Sequence, residues 1–202
     1  MQDEVYIEIR GGIQVCVPDS VRLLTHYVLR EQEDWVEDEI DFGRNFVKPG
    51  MNIIDIGANY GVYTLTAAKL IGKSGKIWAF EPSSTTARLL GKSIIANKME
   101  NATLIQAGLS EKPGHSSLIL NPITVMCFLS DDPNETGRKE EVELYSLDEC
   151  MEKFGWHDID LIKMDAEGHE SKIIKGAKTL LATRSPLVMY EIKAGNLSLI
   201  HI

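Results

Sequence analysis

From Val47 onward the chain alternates short β-rich apolar runs with helical stretches, and this alternation constrains the fold more than any other feature. NIIDI at 52–56 reads as a strand, followed by a helix over roughly 61–71. KIWAF at 76–80 is a second strand, with a helix over roughly 84–97 after it, and ATLIQA at 102–107 is a third. LSEKPGHSSLIL reads as a hairpin, with Pro113-Gly114 between two extendable arms, and residues 121–141, polar and Pro-containing, as a surface excursion. A short helix near 146–154 precedes the strand IDLIKM at 159–164. The next helix carries Ile173, Ile174, Ala177, Leu180 and Leu181 at helical spacing, and PLVMYEI at 186–192 is the last strand. Strands joined through helices imply an α/β fold, Rossmann-like, with a mostly parallel doubly wound sheet. Such sheets bind ligands outside the carboxyl ends of their strands.

The N-terminal residues 1–46 are expected to form an extension packed on a core domain over 47–196. VYIEIR and IQVCV flank Gly11-Gly12 as a β-hairpin, and a helix follows with Val21, Leu24, Val28 and Leu29 on one side. The acidic run EQEDWVEDEID reads as a solvated helix face, from which Trp35 and Val36 pack down. With 202 residues, 44% of them apolar, the chain can bury a sizeable core. The net charge of −9, with basic residues scattered, argues against a nucleic-acid partner, which needs a basic face. No apolar run is long enough to span a bilayer, so no membrane is expected. Cys16, Cys127 and Cys150 lack metal-site spacing and read as free thiols in a reducing compartment; with the acidic start MQDEVYIEIR, unlike a secretory signal, this makes the cytoplasm the expected location.

The sharpest local signal is DIGANYG, Asp55 to Gly61, at a strand-to-helix turn. Glycines there let the chain turn tightly and let a ligand approach the backbone, and the first-turn amides suit an anion. A dinucleotide turn would want G-x-G-x-x-G, but Asn59 stands in the middle position. With Asp55 just upstream, the turn suits a ligand carrying an ammonium and a carboxylate but no phosphate, as at the methionine end of S-adenosylmethionine. The amides after Gly57 would hold the carboxylate, and Asp55 would attract the amino group. Glu81, ending the second strand, can accept both ribose hydroxyls, which fits an adenosine-type ligand without choosing between NAD and S-adenosylmethionine. Pro82 fixes the chain direction after it.

DIGANYGVYTL at 55–65, FEP at 80–82, ANK at 96–98, QAGLSE at 106–111, VELYSLDE at 142–149, LIKMDAEGHE at 161–170 and LLATRSPLVMYEI at 180–192 together resemble the FkbM family of methyltransferases. The resemblance implies a class I methyltransferase fold, S-adenosylmethionine as donor with S-adenosylhomocysteine as product, and O-methylation of a hydroxyl on a sugar, polyketide or similar small metabolite. The expected cofactor contacts are Asp55, Gly57, Ala58, Asn59, Tyr60, Gly61, Tyr63, Glu81, Pro82 and Asp165; the QAGLSE match adds Gly108, Leu109 and Ser110 at the adenine pocket. A catalytically inactive cofactor-binding module and an NAD-dependent oxidoreductase are the alternatives.

KMDAEGHE places Asp165, Glu167, His169 and Glu170 around Gly168, just past a buried strand. Methyl transfer needs an oriented acceptor oxygen and benefits from a base. Asp165, Glu167 and His169 are the catalytic candidates: Asp165 at the strand tip near the methyl, and His169, which titrates nearest neutrality, further out. Glu191 can reach the same rim, whereas Glu170 is expected to stabilise the helix start. No metal-ligand spacing is present, so no metal is expected. His26, His115 and His157 read as surface or packing residues. A class I sheet ordinarily continues beyond 192 as an antiparallel hairpin. The chain instead ends in LSLIHI, so residues 197–202 are expected to be a non-native tail, the last strands to be missing, and the sheet edge to favour self-association.

Overall fold

The computed structural model describes residues 3–21, 23–35, 37–120, 127–130, 136–192 and 196–201, with side chains described only up to 190. The N-terminal hairpin pairs β1 (Glu4–Ile9) with β2 (Ile13–Pro18) in the register Ile9↔Ile13, turning through Gly11 and Gly12, both at positive φ. Two helices follow, α1 (Leu24–Gln32) and α2 (Asp38–Phe46), where one was expected. On α1 the buried side is Thr25, His26 and Leu29, while Val21 and Leu24, placed inward by the sequence reading, are exposed. Packing against the hairpin sets the rotation of this short helix, overriding its weak apolar pattern. The acidic run is split: its first two residues end α1, Glu33 to Trp35 leave the helix, and its last four open α2, whose first turn carries Asp38, Glu39 and Asp41 at the favourable dipole end. Trp35 packs down as expected; Val36 lies outside the described residues.

The central sheet is built from β3 (Asn52–Ile56), β4 (Lys76–Phe80), β5 (Ala102–Ile105), β10 (Leu161–Met164), β11 (Leu187–Ile192) and β12 (Asn196–His201). Their order is β12-β11-β10-β3-β4-β5, and every pair is parallel except β11–β12. Helices α3 (Val62–Ile71) and α4 (Ser84–Ala96) cover one face with the hairpin, and α5 (Leu147–Phe154), α6 (Glu170–Lys175) and α7 (Lys178–Arg184) cover the other. Strand side chains alternate between faces. Ile53, Ile77, Leu161 and Met189 therefore join the hairpin, α3 and α4, while Ile54, Ile56, Phe80, Ile162, Met164 and Val188 join α5, α6 and α7. Two covered faces explain why these strands read as unbroken apolar runs.

Three expectations are corrected. Residues 108–120 are not a hairpin: β6 (Gly108–Leu109) and β7 (Gly114–Leu120) are separated by β9 (Arg138–Tyr145), which pairs with both. With β8 (Cys127–Ser130) they form a second sheet, ordered β6-β9-β7-β8, so much of the supposed excursion is strand. The helix after β10 is two helices. They break at Gly176, where a Cβ would meet the Ser110 carbonyl oxygen at 2.3 Å, and the Asp148 carboxylate accepts from the Thr179 and Leu180 amides to start α7. Finally, one antiparallel strand does follow β11: β12 takes most of the segment read as a tail.

Candidate functional site

The sheet reverses its winding between β3 and β10, and the two strands end side by side, joined by the Asp165 amide donating to the Ile56 carbonyl at 3.0 Å. This switch point is where an open α/β sheet leaves a crevice. Gly57 turns there at φ 74°, and a Cβ on it would lie 1.9 Å from the Asp165 carbonyl oxygen, so glycine is obligatory. The loop is closed on itself. The Gly57 and Ala58 amides donate to the Phe80 carbonyl, Asn59 to Glu81 Oε2, Tyr60 to the Asn59 side chain and Gly61 to the Ala58 carbonyl. The amides of Gly57 to Gly61, expected to hold a ligand carboxylate, are thus engaged within the loop.

Asp55 lines neither of the clefts described below. Its fully buried carboxylate accepts from Thr64 Oγ1 and pairs with Lys163 Nζ at 3.4 Å, so it braces the loop rather than facing a ligand. Lys163 also donates to the Gly57 carbonyl at 3.2 Å and lies 3.8 Å from Asp165 Oδ2. Burial pulls its pKa down, but the charges of Asp55, Asp165 and Glu37 outweigh this and hold it above the ordinary lysine value. The sequence reading passed over Lys163. Its signal was a charge inside an otherwise apolar strand, which must find a partner when buried.

One cleft, about 690 Å³, opens beside Glu81 and Pro82 and is walled by Phe80, Ala107, Gly108 and Leu109, with Leu118, Cys127 and Leu129 from the second sheet. Glu81 accepts the Ser83 amide on Oε1 at 2.9 Å and the Asn59 amide on Oε2 at 2.8 Å. Each oxygen keeps a further lone pair for a hydroxyl donor. Burial pushes its pKa up to about 7, against the two amide bonds, which lower it. A second cleft, about 510 Å³, lies on the other side of the loop. Ala58, Tyr60, Gly61 and Tyr63 line it with Lys163, and the N-terminal segment adds Thr25, Trp35, Glu37, Glu39 and Ile40. No sequence motif in residues 1–46 points to that N-terminal contribution. Gly57, Asn59 and Asp165 line both clefts.

After β10 the chain turns through Glu167 and Gly168, both at positive φ. Asp165 and Glu167 face the first cleft. His169 does not, which corrects its placement near an acceptor. It is buried, and its Nε2 lies 3.1 Å from Ser110 Oγ, tying the turn to β6; Ser110 likewise lines neither cleft. Glu170 is structural as expected, accepting the Ala166 and Gly168 amides. The side chain of Glu191 lies outside the described residues. His26 is buried near Asp19, while His115 and His157 are exposed. Basic residues are not wholly scattered: Lys69, Lys73, Lys76 and Lys98 line a groove by the amino ends of β4 and β5, at the opposite end of the sheet. Among the described residues no helix is long and apolar enough to cross a membrane.

A family profile described as the methyltransferase FkbM domain matches residues 55–199. The chain is 28% identical over 116 residues to a probable cobalt-precorrin-6B C(15)-methyltransferase (decarboxylating) of Sulfurisphaera tokodaii, covering 57% of this chain and 56% of that protein. It is 26% identical over 156 residues to the methyltransferase sdnD of Sordaria araneosa, at 61% and 59% coverage. A ribosomal RNA large subunit methyltransferase E of Nitratidesulfovibrio vulgaris is 25% identical over 147 residues, covering 68% of each chain. The chain thus spans a little under three fifths of the first two relatives. Among solved structures, a methyltransferase FkbM from Methylobacillus flagellatus superposes with a TM-score of 0.52 at 15% identity, over 74% of this chain and 39% of that one.

Proposed function

The chain belongs to the FkbM methyltransferase family and is built to use S-adenosylmethionine, and we propose that it transfers the methyl group to a hydroxyl oxygen of a small metabolite. The observation that carries this reading is the pair of clefts meeting at Gly57, Asn59 and Asp165. An adenosine fits the cleft where Glu81 has lone pairs left for ribose hydroxyls and where Phe80, Leu109 and Leu118 offer apolar walls. When bound, the cofactor supplies an electrophilic methyl on a cationic sulfur. Asp165 is the carboxylate common to both clefts, so it can complement that charge from one side and meet the acceptor from the other. There it would accept the hydroxyl's hydrogen bond, aim the oxygen lone pair, and take the proton as the methyl carbon bonds to that oxygen and its bond to sulfur breaks, leaving S-adenosylhomocysteine. Glu167 stands on the cofactor side only.

The net charge of −9 and the carboxylates of the second cleft support a small acceptor over nucleic acid, which would have to bring phosphates to them. The three cysteines, odd in number and without metal-site spacing, support a reducing, cytoplasmic setting.

The test is methyl transfer to a panel of hydroxylated metabolites, with S-adenosylhomocysteine affinity measured in parallel. Asp165→Asn should slow transfer by roughly 10²–10⁴-fold, the usual worth of a positioned base. His169→Ala should keep the wild-type pH profile of the rate, because its ring faces Ser110. Loss of the acid-side fall in rate in His169→Ala, with Asp165→Asn active, would reverse the two roles.

A further inference from the structure

The second cleft carries more negative charge than the cofactor needs. Glu37, Glu39 and Asp165 line it, and the one cation among its described lining residues, Lys163, is already paired with Asp55 and lies 3.8 Å from Asp165. S-adenosylmethionine brings a sulfonium, an ammonium and a carboxylate, a net single positive charge, which Asp165 alone can balance. Two carboxylates remain on the N-terminal side, at the start of α2. Although Glu37 is exposed as a residue, desolvation on its cleft side raises its carboxyl pKa; the charges of Glu39 and Asp165 add to this, and Trp35 and Lys163 oppose it. A ligand cation would relieve that repulsion.

A second feature points to a ligand independently. Tyr63 is buried to 6% exposure and lines the same cleft, yet its hydroxyl has no hydrogen-bond partner among the described residues. Burial pushes its pKa far above the ordinary phenol, so the hydroxyl keeps its proton. A buried hydroxyl left unpaired is unfavourable, and a polar ligand group would relieve it. Trp35 and Tyr60 supply aromatic surface in the same cleft. Aromatic rings beside carboxylates are the chemistry that recognises an ammonium.

We propose that the methyl acceptor is an amine-bearing polyol, an amino sugar or amino alcohol. Its ammonium is held by Glu37, Glu39 and the Trp35 ring, and a nearby hydroxyl reaches Tyr63 and Asp165. This rests on the two-cleft reading above, and the experiment separates the two. S-adenosylhomocysteine affinity is measured first, by calorimetry; no binding would overturn the two-cleft reading itself. The loaded protein is then titrated with glucosamine, N-acetylglucosamine and glucose. Glucosamine should bind about tenfold or more tightly than the other two, the scale of one well-placed cation contact. Glu37→Gln/Glu39→Gln should erase that preference and leave S-adenosylhomocysteine affinity unchanged. Tyr63→Phe, which removes a hydroxyl without a partner and so leaves the free protein folded, should weaken glucosamine binding by a similar factor. Equal binding of the three sugars, no binding of glucosamine, or a preference that survives the double substitution would overturn the inference. So would a double variant that loses S-adenosylhomocysteine instead, since the two carboxylates would then serve the cofactor's own ammonium.

Discussion

Lys163 puts a full positive charge on a strand whose other positions are apolar and buried, and its neighbours explain why the fold tolerates it. Asp55, Asp165 and the Gly57 carbonyl all face its ammonium. Removing one partner of a buried pair leaves the other charge stranded. Lys163→Met should therefore cost about 3–5 kcal/mol in urea denaturation, and adding Asp55→Leu should recover much of the loss. If the single substitution is neutral, Lys163 is not holding the loop. Glu81 gives the other prediction at this scale. Its folded pKa of about 7 lies above its ordinary value of 4.5, so between these the folded protein keeps a proton that the unfolded chain has lost. By linkage, Glu81's contribution to stability falls as pH rises from about 4.5 to 7, then levels off. Cofactor binding runs the other way, because ribose hydroxyls need the ionised acceptor. S-adenosylhomocysteine affinity should rise with pH through about 7 and flatten in Glu81→Gln; a flat profile in the unaltered protein would remove Glu81 from the ribose.

Among the elements, β3 and β4 could be read from the sequence because each is a short apolar run between helices. Glu81 and the glycine turn followed, being fixed by position at strand ends. The second sheet was hidden because β6 and β7 pair not with each other but with β9, and register between distant segments leaves no local trace. His169 was misplaced for a related reason. Sequence puts it four residues after Asp165, but the αL turn at Glu167 and Gly168 swings its ring towards Ser110, just past β6. The same packing makes Gly176 critical, since its missing Cβ lets the end of α6 sit against the Ser110 carbonyl. Gly176→Ala should push α6 off β6. The expected outcome is a destabilisation of about 1–3 kcal/mol, the usual cost of overpacking, with weaker cofactor binding. Retained melting temperature and affinity would show that this contact yields freely.

At the scale of the whole molecule, the question is whether residues 1–46 are an appendage or part of the same folded unit as the central sheet. The sequence suggested a packed extension but could not show how deeply it is shared. Val15, Cys16 and Val17 on β2 are completely buried, and Ile7, Ile9 and Ile13 join them in one core with Ile53, Leu65, Ile71, Ile77 and Leu89. The Cys16 amide donates to Ser93 Oγ on α4 at 2.8 Å, and Asn97 bonds both backbone groups of Gln14. Without residues 1–46, the outer faces of α3 and α4 would meet water, and each buried side chain that lost its cover would forgo roughly 1.5–3 kcal/mol. A handful of such losses matches the whole stability of a domain, about 5–15 kcal/mol. A chain beginning at Val47 should therefore show no cooperative melting transition and no S-adenosylhomocysteine binding, although it retains the glycine turn, Glu81 and Asp165. Supplying residues 1–46 as a separate peptide should restore both, if the loss is one of packing. A shortened chain that melts cooperatively and binds with full affinity would show instead that the hairpin and its two helices serve the second cleft alone.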